Sequence, residues 1–260
     1  MIGSMFAAER DGVAARINSI ERAGAGALIQ TSGGRRMRGS VAQQLAVMIL
    51  SGELPPGHVF PTELDYAEQI GISRSSLREA FRVLSAKGLV ESRPKAGTRV
   101  NPRRQWSLLD PDLLAWQFAA EPSAKFLRDL FELRLTVEPN AAAIAAARRS
   151  DDEVEAMRRA LEKMARHGLA TEEGRLADQQ FHMVMLEATR NDAIIALASS
   201  IMAAIAWTTI YKQRNHALKR DPIPDHRLLY DAFAAGDAEA ARHAMAELIR
   251  LALADTEMSA

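Results

Sequence analysis

The segment PTELDYAEQIGISRSSLREAFRVLSAKGLVESRPKAGTRV, residues 61–100, decides the fold of this chain. Thr62, three residues before Asp65, is a good helix N-cap, and Gly71 allows the sharp turn that ends this first short helix. Ser73 suits the N-cap of a second helix, Arg74–Lys87. Its apolar residues recur at the helical spacing i, i+3, i+4 and i+7: Leu77, Ala80, Phe81 and Leu84. The segment therefore predicts a helix-turn-helix.

Two short strands are expected to follow the second helix and to form a wing. Gly88 ends the helix, and Pro94–Gly97 joins the strands Leu89–Arg93 and Thr98–Val100. Arginines lie at i, i+4 and i+8 on the face that the core does not use: Arg74, Arg78 and Arg82. Arginine suits phosphates and guanine edges because its guanidinium donates two parallel hydrogen bonds. Turn, cap, polar face and wing agree with one another, which favours a reader of the DNA major groove over a helix pair used only for packing.

The charge of the chain is balanced overall but distributed unevenly. Its 260 residues carry 33 basic and 33 acidic side chains. Residues 36–104 hold 11 Lys and Arg against 6 Asp and Glu, whereas residues 105–260 hold 18 against 24. The basic segment contains the expected DNA reader, since phosphate binding needs cations. The acidic segment, residues 105–260, is expected to have a function other than DNA binding.

The absence of cysteine and the composition of the first residues indicate the cellular compartment in which the protein is expected. The chain has no cysteine, so it has neither disulfides nor thiolate metal ligands, which fits a reducing cytoplasm. No basic segment followed by an apolar run opens the chain, so we expect a cytoplasmic protein without a signal peptide.

One uncharged stretch raises the question of a membrane span. Residues 193–211, AIIALASSIMAAIAWTTIY, are nearly long enough to cross a bilayer. Their alanine and hydroxyl residues, and the amphipathic helices around them, favour a central buried helix of a bundle. We therefore expect no membrane partner.

The chain is expected to be mainly α, with an N-terminal winged helix-turn-helix followed by an all-α helical bundle. Four segments are predicted: a flexible arm at 1–35 with a helix near Val13–Ala23, the winged domain at 36–102 with a first helix between Ser40 and Ser51, a linker and docking helix at 103–122, and an all-helical effector-binding and dimerisation domain at 123–256. Caps and stops predict seven helices and no strand after the wing: Pro111–Ala119, Ala124–Arg148, Asp152–His167, Thr171–Thr189, Ala193–Gln213, Asp225–Ala235 and Ala238–Ala254.

The motifs between Val41 and Pro102 resemble those of the GntR family of bacterial regulators. The shared pattern runs I-x-x-G-x-L-x-P-G-x-x-x-P-x-E, then G-I-S-R-S-S-L-R-E-A-x-x-x-L, then K-G-L-V and G-T-x-V. A homodimer on a palindromic double-stranded operator is expected, because paired recognition helices read palindromic sites. The resemblance implies that the following residues of the second helix and the wing contact DNA: Ser73, Arg74, Ser75, Ser76, Arg78, Lys95 and Gly97. Arg82 lies on the same helix face as Arg74 and Arg78 and is expected to contact DNA as well. Leu64 stands where the family usually has a base-reading arginine, so the operator is expected to differ.

A second set of residues suits a metal ion. Asp178 and His182 are four residues apart and therefore face the same way from one helix, and His226 opens another helix after a proline-rich turn. Two imidazoles and a carboxylate suit a divalent metal such as zinc. An aspartate and a histidine at this spacing also form ordinary surface hydrogen bonds, so the residue types alone leave both interpretations open.

The helical half resembles the FCD effector domain of the FadR-like branch of the same family. The matching pieces are F-E-L-R-L-x-V-E-P-N-A-A, D-x-x-F-H and D-H-x-x-L-x-D-A-F-A-A-G-D. The resemblance implies a divalent metal held by one aspartate and three histidines, with zinc as the first choice and nickel or manganese as alternatives. Asp178, His182 and His226 match three of these ligands. Leu248 occupies the position of the fourth, which leaves the remaining coordination to water or an effector oxygen.

The same resemblance implies an effector pocket. Arg134 would pair with an effector carboxylate and Asn191 would line the pocket. Arg134 also suits a surface salt bridge with Glu138, and Asn191 also suits a simple helix stop. The linker NPRRQWSLLDPDLLAW, residues 101–116, resembles that of galactonate-operon repressors and related sugar-acid regulators. A sugar acid such as galactonate is therefore the expected effector.

Together these inferences predict a transcriptional regulator and not an enzyme. The expected protein represses a sugar-acid catabolic operon and leaves its DNA when a small carboxylate binds in a metal-containing helical pocket. Two alternatives stay open. The pocket could be metal-free and bind an apolar acyl ligand, or the metal set could serve a helical metallo-hydrolase, although that enzyme would lack a candidate base and a nucleophile motif.

Overall fold

The computed structural model describes residues 41–93, 97–214 and 220–257, which form two compact units divided between Glu121 and Pro122. The first unit contains α1 Val41–Leu50, α2 Glu63–Ile70, α3 Arg74–Ala86, β1 Val90–Arg93, β2 Gly97–Val100, a 3-10 turn Arg103–Gln105 and α4 Pro111–Ala119. The second unit contains α5 Ala124–Arg148, α6 Asp151–His167, α7 Glu172–Ala188, α8 Asp192–Ile195, α9 Ala198–Gln213, α10 Ile223–Ala235 and α11 Ala238–Glu257. The predicted fold class is confirmed. Several predicted features lie outside the described residues: the arm at 1–35, its helix near Val13–Ala23, the first helix's predicted start at Ser40, and residues 94–96 of the wing turn, which include Lys95.

The helix-turn-helix is set by its caps. Thr62 accepts a hydrogen bond from the Asp65 backbone N–H at 3.3 Å, and its hydroxyl donates to the Asp65 carboxylate at 2.7 Å. Gly71 ends α2 with a φ of 74°, a left-handed conformation that glycine adopts without a Cβ clash. Ser73 then caps α3 by accepting from the Ser76 N–H at 3.1 Å. Turn and caps fix the angle at which α3 leaves α2.

The core of the first unit lies under one face of α3. The four apolar residues predicted from the helical spacing are buried: Leu77, Ala80, Phe81 and Leu84. The Phe81 ring meets the Phe60 ring edge-on at 5.0 Å between centroids, a favourable arrangement of the two quadrupoles. Because this face is used for packing, the opposite face of α3 stays exposed.

The wing is a two-stranded antiparallel hairpin. Val90 pairs with Val100 and faces the core, whereas Glu91 pairs with Arg99 on the outer face, where the two side chains form an ion pair. Gly88, with a φ of 73°, precedes the hairpin, and a Cβ at this residue would lie 2.1 Å from the Gln105 carbonyl oxygen. Glycine is therefore required where the 3-10 turn passes behind the wing.

Helix α4 is fixed to the first unit by charge as well as by packing. The Lys87 ammonium donates to Asp110 at 2.6 Å and to Asp112 at 2.9 Å, and it lies 5.3 Å from the centroid of the Trp116 ring. Asp110 also caps α4 by accepting from the Leu113 N–H at 3.0 Å. Burial by itself lowers the pKa of Lys87, but the two carboxylates outweigh it and raise that pKa. The segment predicted as a docking helix is thus tied to the end of α3.

The second unit is a helical bundle in which α5 packs against α11 and α6 packs against α7. Ser150 and Glu153 form a complete capping box at the start of α6, and Gly236 ends α10 in the left-handed conformation at a φ of 76°. The largest fully buried side chains of this unit are Phe131, Phe181, Phe233, Met157 and Leu161. The helices predicted after the wing are observed with ends shifted by a few residues at most, with one exception.

The exception is the predicted helix Ala193–Gln213, which is divided in two. Asn191 caps α8, and the α-helix is then interrupted at Ala196 and Leu197, whose ψ values of −23° and −9° are less negative than in a regular α-helix, before α9 begins. No glycine or proline lies at this point, so the sequence pattern does not predict the interruption. The segment Asp192–Gln213 is long and apolar enough to cross a membrane by composition alone, and half of its most apolar window is buried inside the domain.

Candidate nucleic-acid interface and buried polar cluster

The N-terminus of α3 presents a group of hydroxyls and arginines to solvent. The Ser73 hydroxyl lies 2.9 Å from the Ser75 hydroxyl and 2.7 Å from the Ser76 hydroxyl, and all three residues are exposed. Arg74 is exposed beside them at the first position of the helix. Hydroxyls and backbone N–H groups at the positive end of a helix suit phosphate oxygens. The structure therefore places these four predicted contacts on one surface.

Arg78 is oriented by a partner on α2. Its Nε and Nη2 atoms donate to the Glu63 carboxylate at 3.1 and 2.8 Å, which holds the guanidinium in a fixed plane and raises the pKa of Arg78. Two of the five N–H donors point at Glu63. Arg82 is more exposed and lies 3.7 Å from Glu79. Of the remaining predicted contacts, Gly97 is exposed at the start of β2.

Leu64 is an exposed apolar residue beside this interface. Half of its surface is accessible, and it directly follows Glu63, the partner of Arg78. The sequence predicted that Leu64 stands where an arginine would read a base. The structure places the side chain in solvent, where an arginine would also have been free to extend.

The three predicted metal ligands meet inside the second unit. Asp178, His182 and His226 are all buried, and one ligand atom from each lies within 4.8 Å of the others. The Asp178 Oδ1 atom is 3.0 Å from His226 Nε2 and 3.6 Å from His182 Nε2. Phe181 packs edge-on against both imidazoles, at 5.7 and 5.3 Å between ring centroids. The surface hydrogen-bond interpretation of this set is therefore wrong, because the residues are buried together.

The hydrogen bonds of His226 indicate that a cation fits between its ring and Asp178. The Nδ1 atom lies 2.8 Å from the Pro222 carbonyl oxygen, which only accepts, so Nδ1 carries a proton. In the neutral ring Nε2 then has a lone pair, and this lone pair faces the Asp178 oxygen at 3.0 Å. A proton between the two atoms makes this contact a hydrogen bond, and a metal ion bound to both lone pairs can take the place of that proton. The donor set therefore fits a divalent metal.

Glu138 links His182 to Arg134. Its carboxylate accepts from Arg134 Nε at 2.6 Å and Nη2 at 3.5 Å, and it lies 3.5 Å from His182 Nδ1, a buried atom without a well-formed hydrogen bond. Both Arg134 and Glu138 are buried. The predicted salt bridge between them is thus present, but inside the domain rather than on its surface. A carboxylate behind a metal-binding imidazole orients the ring and makes it a better ligand.

The two buried carboxyls are held ionised by their neighbours. Burial raises the pKa of Glu138, but the charge of Arg134 and the contact with His182 outweigh it, so that pKa lies below its usual value. Burial likewise raises the pKa of Asp178, and the hydrogen bond to His226, with the charges of both histidines and Lys212, brings it below its usual value. Both groups are therefore available as anions at neutral pH.

Lys212 is a member of this site that the sequence analysis missed. It is nine-tenths buried on the last turn of α9, and burial lowers the pKa of its amine to about 8. The charges of Asp178 and Arg134 act on it from α7 and α5. We call the six residues Arg134, Glu138, Asp178, His182, Lys212 and His226 the polar cluster. A lysine in the last turn of a helix is usually solvated there, so neither its residue type nor its position predicts its burial.

Asn191 and Leu248 take simpler positions in the structure. The Asn191 side-chain oxygen accepts from the Ala193 and Ile194 N–H groups at 3.0 and 3.3 Å and thereby caps α8. Its predicted role in an effector pocket stays a prediction. Leu248 is buried in the hydrophobic core of the second unit, as an apolar side chain at this position of α11 requires.

Comparison with known proteins assigns each of the two units to a protein family. Residues 38–100 match the model of the bacterial regulatory proteins of the gntR family, and residues 129–251 match the FCD domain. The HTH-type transcriptional regulator YieP of Escherichia coli (strain K12) is 30% identical over 215 residues, which cover 81% of this chain and 91% of YieP. The galactonate operon transcriptional repressor of the same organism is 30% identical over 209 residues, which cover 79% of this chain and 90% of the repressor. The solved structure of Lar, which controls the expression of the Listeria monocytogenes agr system, covers 87% of this chain and 99% of its own at 19% identity, with a TM-score of 0.59, and so shows a shared fold.

Proposed function

The chain belongs to the GntR family of bacterial transcription regulators and carries an FCD domain, and on this premise we propose that it represses a sugar-acid catabolic operon in the cytoplasm. The families and relatives are regulators and not enzymes, so the winged domain binds DNA and the metallo-hydrolase alternative is set aside. The proposed effector is a small carboxylate. The name of the galactonate operon repressor, a relative that spans most of the chain, supports this class of ligand.

The proposed DNA interface consists of the exposed hydroxyls and arginines of α3 together with the wing. Serine hydroxyls at the helix start would fix the position on the phosphates, and Arg78, whose plane Glu63 fixes, would read a guanine edge. We propose a homodimer, since two such helices on a palindromic operator combine two modest affinities into a tight one. Lys95 and Gly97 of the wing would contact the sugar-phosphate backbone of the DNA.

The proposed metal site is Asp178, His182 and His226, with zinc as the first choice and nickel or manganese as alternatives. The single observation that carries this proposal is the 3.0 Å approach of His226 Nε2 to Asp178 Oδ1 while Nδ1 donates to a carbonyl. A metal bound there would supply a localised positive charge for an acid ligand. Arg134, next to His182 through Glu138, would receive an effector carboxylate with the N–H groups that Glu138 does not use.

The proposed switch follows from thermodynamic linkage. The effector must bind the state that does not fit the operator more tightly than the state that does, because a ligand with equal affinity for both shifts nothing. Four charged side chains of the polar cluster are buried in the effector domain. An acid gains from these charges, whereas an apolar acyl chain would leave Lys212 desolvated without a partner, so the metal-free acyl alternative is disfavoured.

The test is a gel-shift assay with the protein's own upstream DNA, with and without galactonate, on protein whose metal content has been measured. We expect a specific shift at moderate salt and its loss when the acid is added. If no specific shift occurs, the regulator proposal is wrong for this DNA. If the shift occurs but no sugar acid relieves it, only the effector class is wrong. Absence of any divalent metal after refolding with zinc would refute the metal site.

A further inference from the structure

Lys212 lies at a point where the inner face of α9 changes character. The helix is apolar where it begins, and Ile201 and Ile205 face the core. Two further steps along the same face lead to Thr208 and Lys212, which are buried as well, and Lys212 is the only charged residue of this helix. A core helix has no packing reason to end its buried face in an ammonium group. The residue therefore calls for a partner inside the domain.

The described residues do not supply this partner by direct contact. Lys212 has no ion pair within 4.0 Å among them, and Asp255, whose charge supports it most, accepts from Arg220 at 3.5 Å. Four charges act on Lys212: Arg134 on α5, Asp178 on α7, Asp255 on α11, and Arg220, which precedes α10. Helix α9, which carries Lys212, packs against α7, which carries Asp178 and His182 of the polar cluster. A buried cation without a contact partner is unfavourable, and an anionic ligand would remove that penalty.

We propose that Lys212 is the second cationic contact of the effector, and that the effector is a sugar diacid with one carboxylate at each end. This inference rests on the proposed function, in which Arg134 and the metal receive the first carboxylate. Lys212 would receive the second, and the Thr208 hydroxyl, which donates to the Ala204 carbonyl at 2.7 Å, keeps its oxygen lone pairs for a hydroxyl of the ligand. Lys212 would then decide which acids the regulator recognises.

The charge balance of the polar cluster supports a dianion. Arg134 and Lys212 carry one positive charge each, Glu138 and Asp178 carry one negative charge each, and histidines that ligate a metal do so as uncharged rings and add none. The four groups therefore sum to zero, and a divalent metal brings the buried site to two positive charges. A monoacid leaves one of them uncompensated, whereas a diacid restores neutrality. Since an uncompensated buried charge is unfavourable, the diacid is expected to bind more tightly.

Galactarate and galactonate provide a matched pair of probes, because they share their carbon skeleton and differ only in a terminal carboxylate or alcohol. We expect zinc-loaded wild-type protein to bind galactarate at least about tenfold more tightly than galactonate in isothermal titration calorimetry, the size of one charge-assisted hydrogen bond. In Lys212→Met the two acids should bind within about twofold of each other. Lys212→Arg should keep the preference, because it keeps the charge.

Two controls separate this result from a folding defect. Lys163→Met removes an exposed lysine from α6 and should leave the preference unchanged. Zinc content and far-UV circular dichroism of Lys212→Met should match the wild type. A wild-type protein that binds galactonate as tightly as galactarate, or a Lys212→Met variant that keeps the preference, overturns the role of Lys212 and leaves the proposed function standing. If neither acid binds zinc-loaded wild-type protein, the proposed effector class fails together with this inference.

Discussion

Replacing Glu138 by glutamine tests whether the buried carboxylate supports both the fold and the metal site. Glutamine keeps the shape of the side chain but removes its charge, so Arg134 is left as a buried cation without its carboxylate at 2.6 Å. Breaking a buried pair from one side usually lowers the free energy of unfolding by about 3–5 kcal/mol. We expect a loss of this size for metal-free Glu138→Gln, measured by urea denaturation in EDTA and followed by circular dichroism, with separate transitions fitted for the two units.

The same substitution should weaken metal binding. Glu138 lies 3.5 Å from His182 Nδ1, and loss of such an orienting partner lowers metal affinity by about 10–100-fold. Zinc affinity is measured by competition with a chelator of known affinity. The double variant Arg134→Met, Glu138→Leu is the matched control: it removes both charges, so most of the stability should return while zinc binding stays weak. If Glu138→Gln unfolds within about 0.5 kcal/mol of the wild type and binds zinc equally well, the buried network has no such role.

Three further predictions follow from particular residues. Lys212→Met should stabilise the metal-free protein at pH 7 by up to roughly 3 kcal/mol, because a pKa lowered from 10.5 to about 8 means that folding disfavours the ammonium. Between pH 8 and 10.5 the unfolded chain keeps the Lys212 proton, whereas the folded chain has lost it. The free energy of unfolding of the wild type should therefore rise with pH through that window. Urea titrations at pH 7 to 9 should show this rise in the wild type but not in the variant. Gly174→Ala should destabilise the second unit despite the better helix propensity of alanine, since its Cβ would lie 1.9 Å from the Gly168 carbonyl oxygen, and an unchanged melting temperature would contradict this packing. Arg82→Ala should lower the slope of log affinity against log salt by about one unit in gel shifts while sequence preference is kept, whereas a changed preference would mean that Arg82 reads a base.

Helix ends were predictable from the sequence because the capping groups are local. Ser73 and Ser150 each lie three residues before the N–H group that they accept from, so the spacing alone carries the information. The division of the helix after Asn191 was not predictable, since Ala196 and Leu197 are good helix formers and only tertiary packing places the break there.

The members of the polar cluster differ in how far the sequence could reveal them. Asp178 and His182 share a helix face, which the i, i+4 spacing gives directly. The approach of His226 to Asp178 spans 48 residues, and periodicity contains no such information, so only the residue types and the family resemblance indicated it. The burial of Lys212 depends on which side of α9 packs against α7 and α11. That is a property of packing, and the surrounding residue types do not encode it.

The buried lysine connects stability with recognition. A desolvated ammonium lowers the stability of the free domain, and it would be replaced by methionine without loss if packing were its only role. Groups that a fold holds at such a disadvantage often lie at functional sites, where the bound state removes the penalty. An anion that contacts Lys212 would do this, so the acid should raise the melting temperature of the wild type more than that of Lys212→Met at equal excess. Equal shifts in both proteins would mean that the ligand does not reach the amine, and its burial would then need another cause.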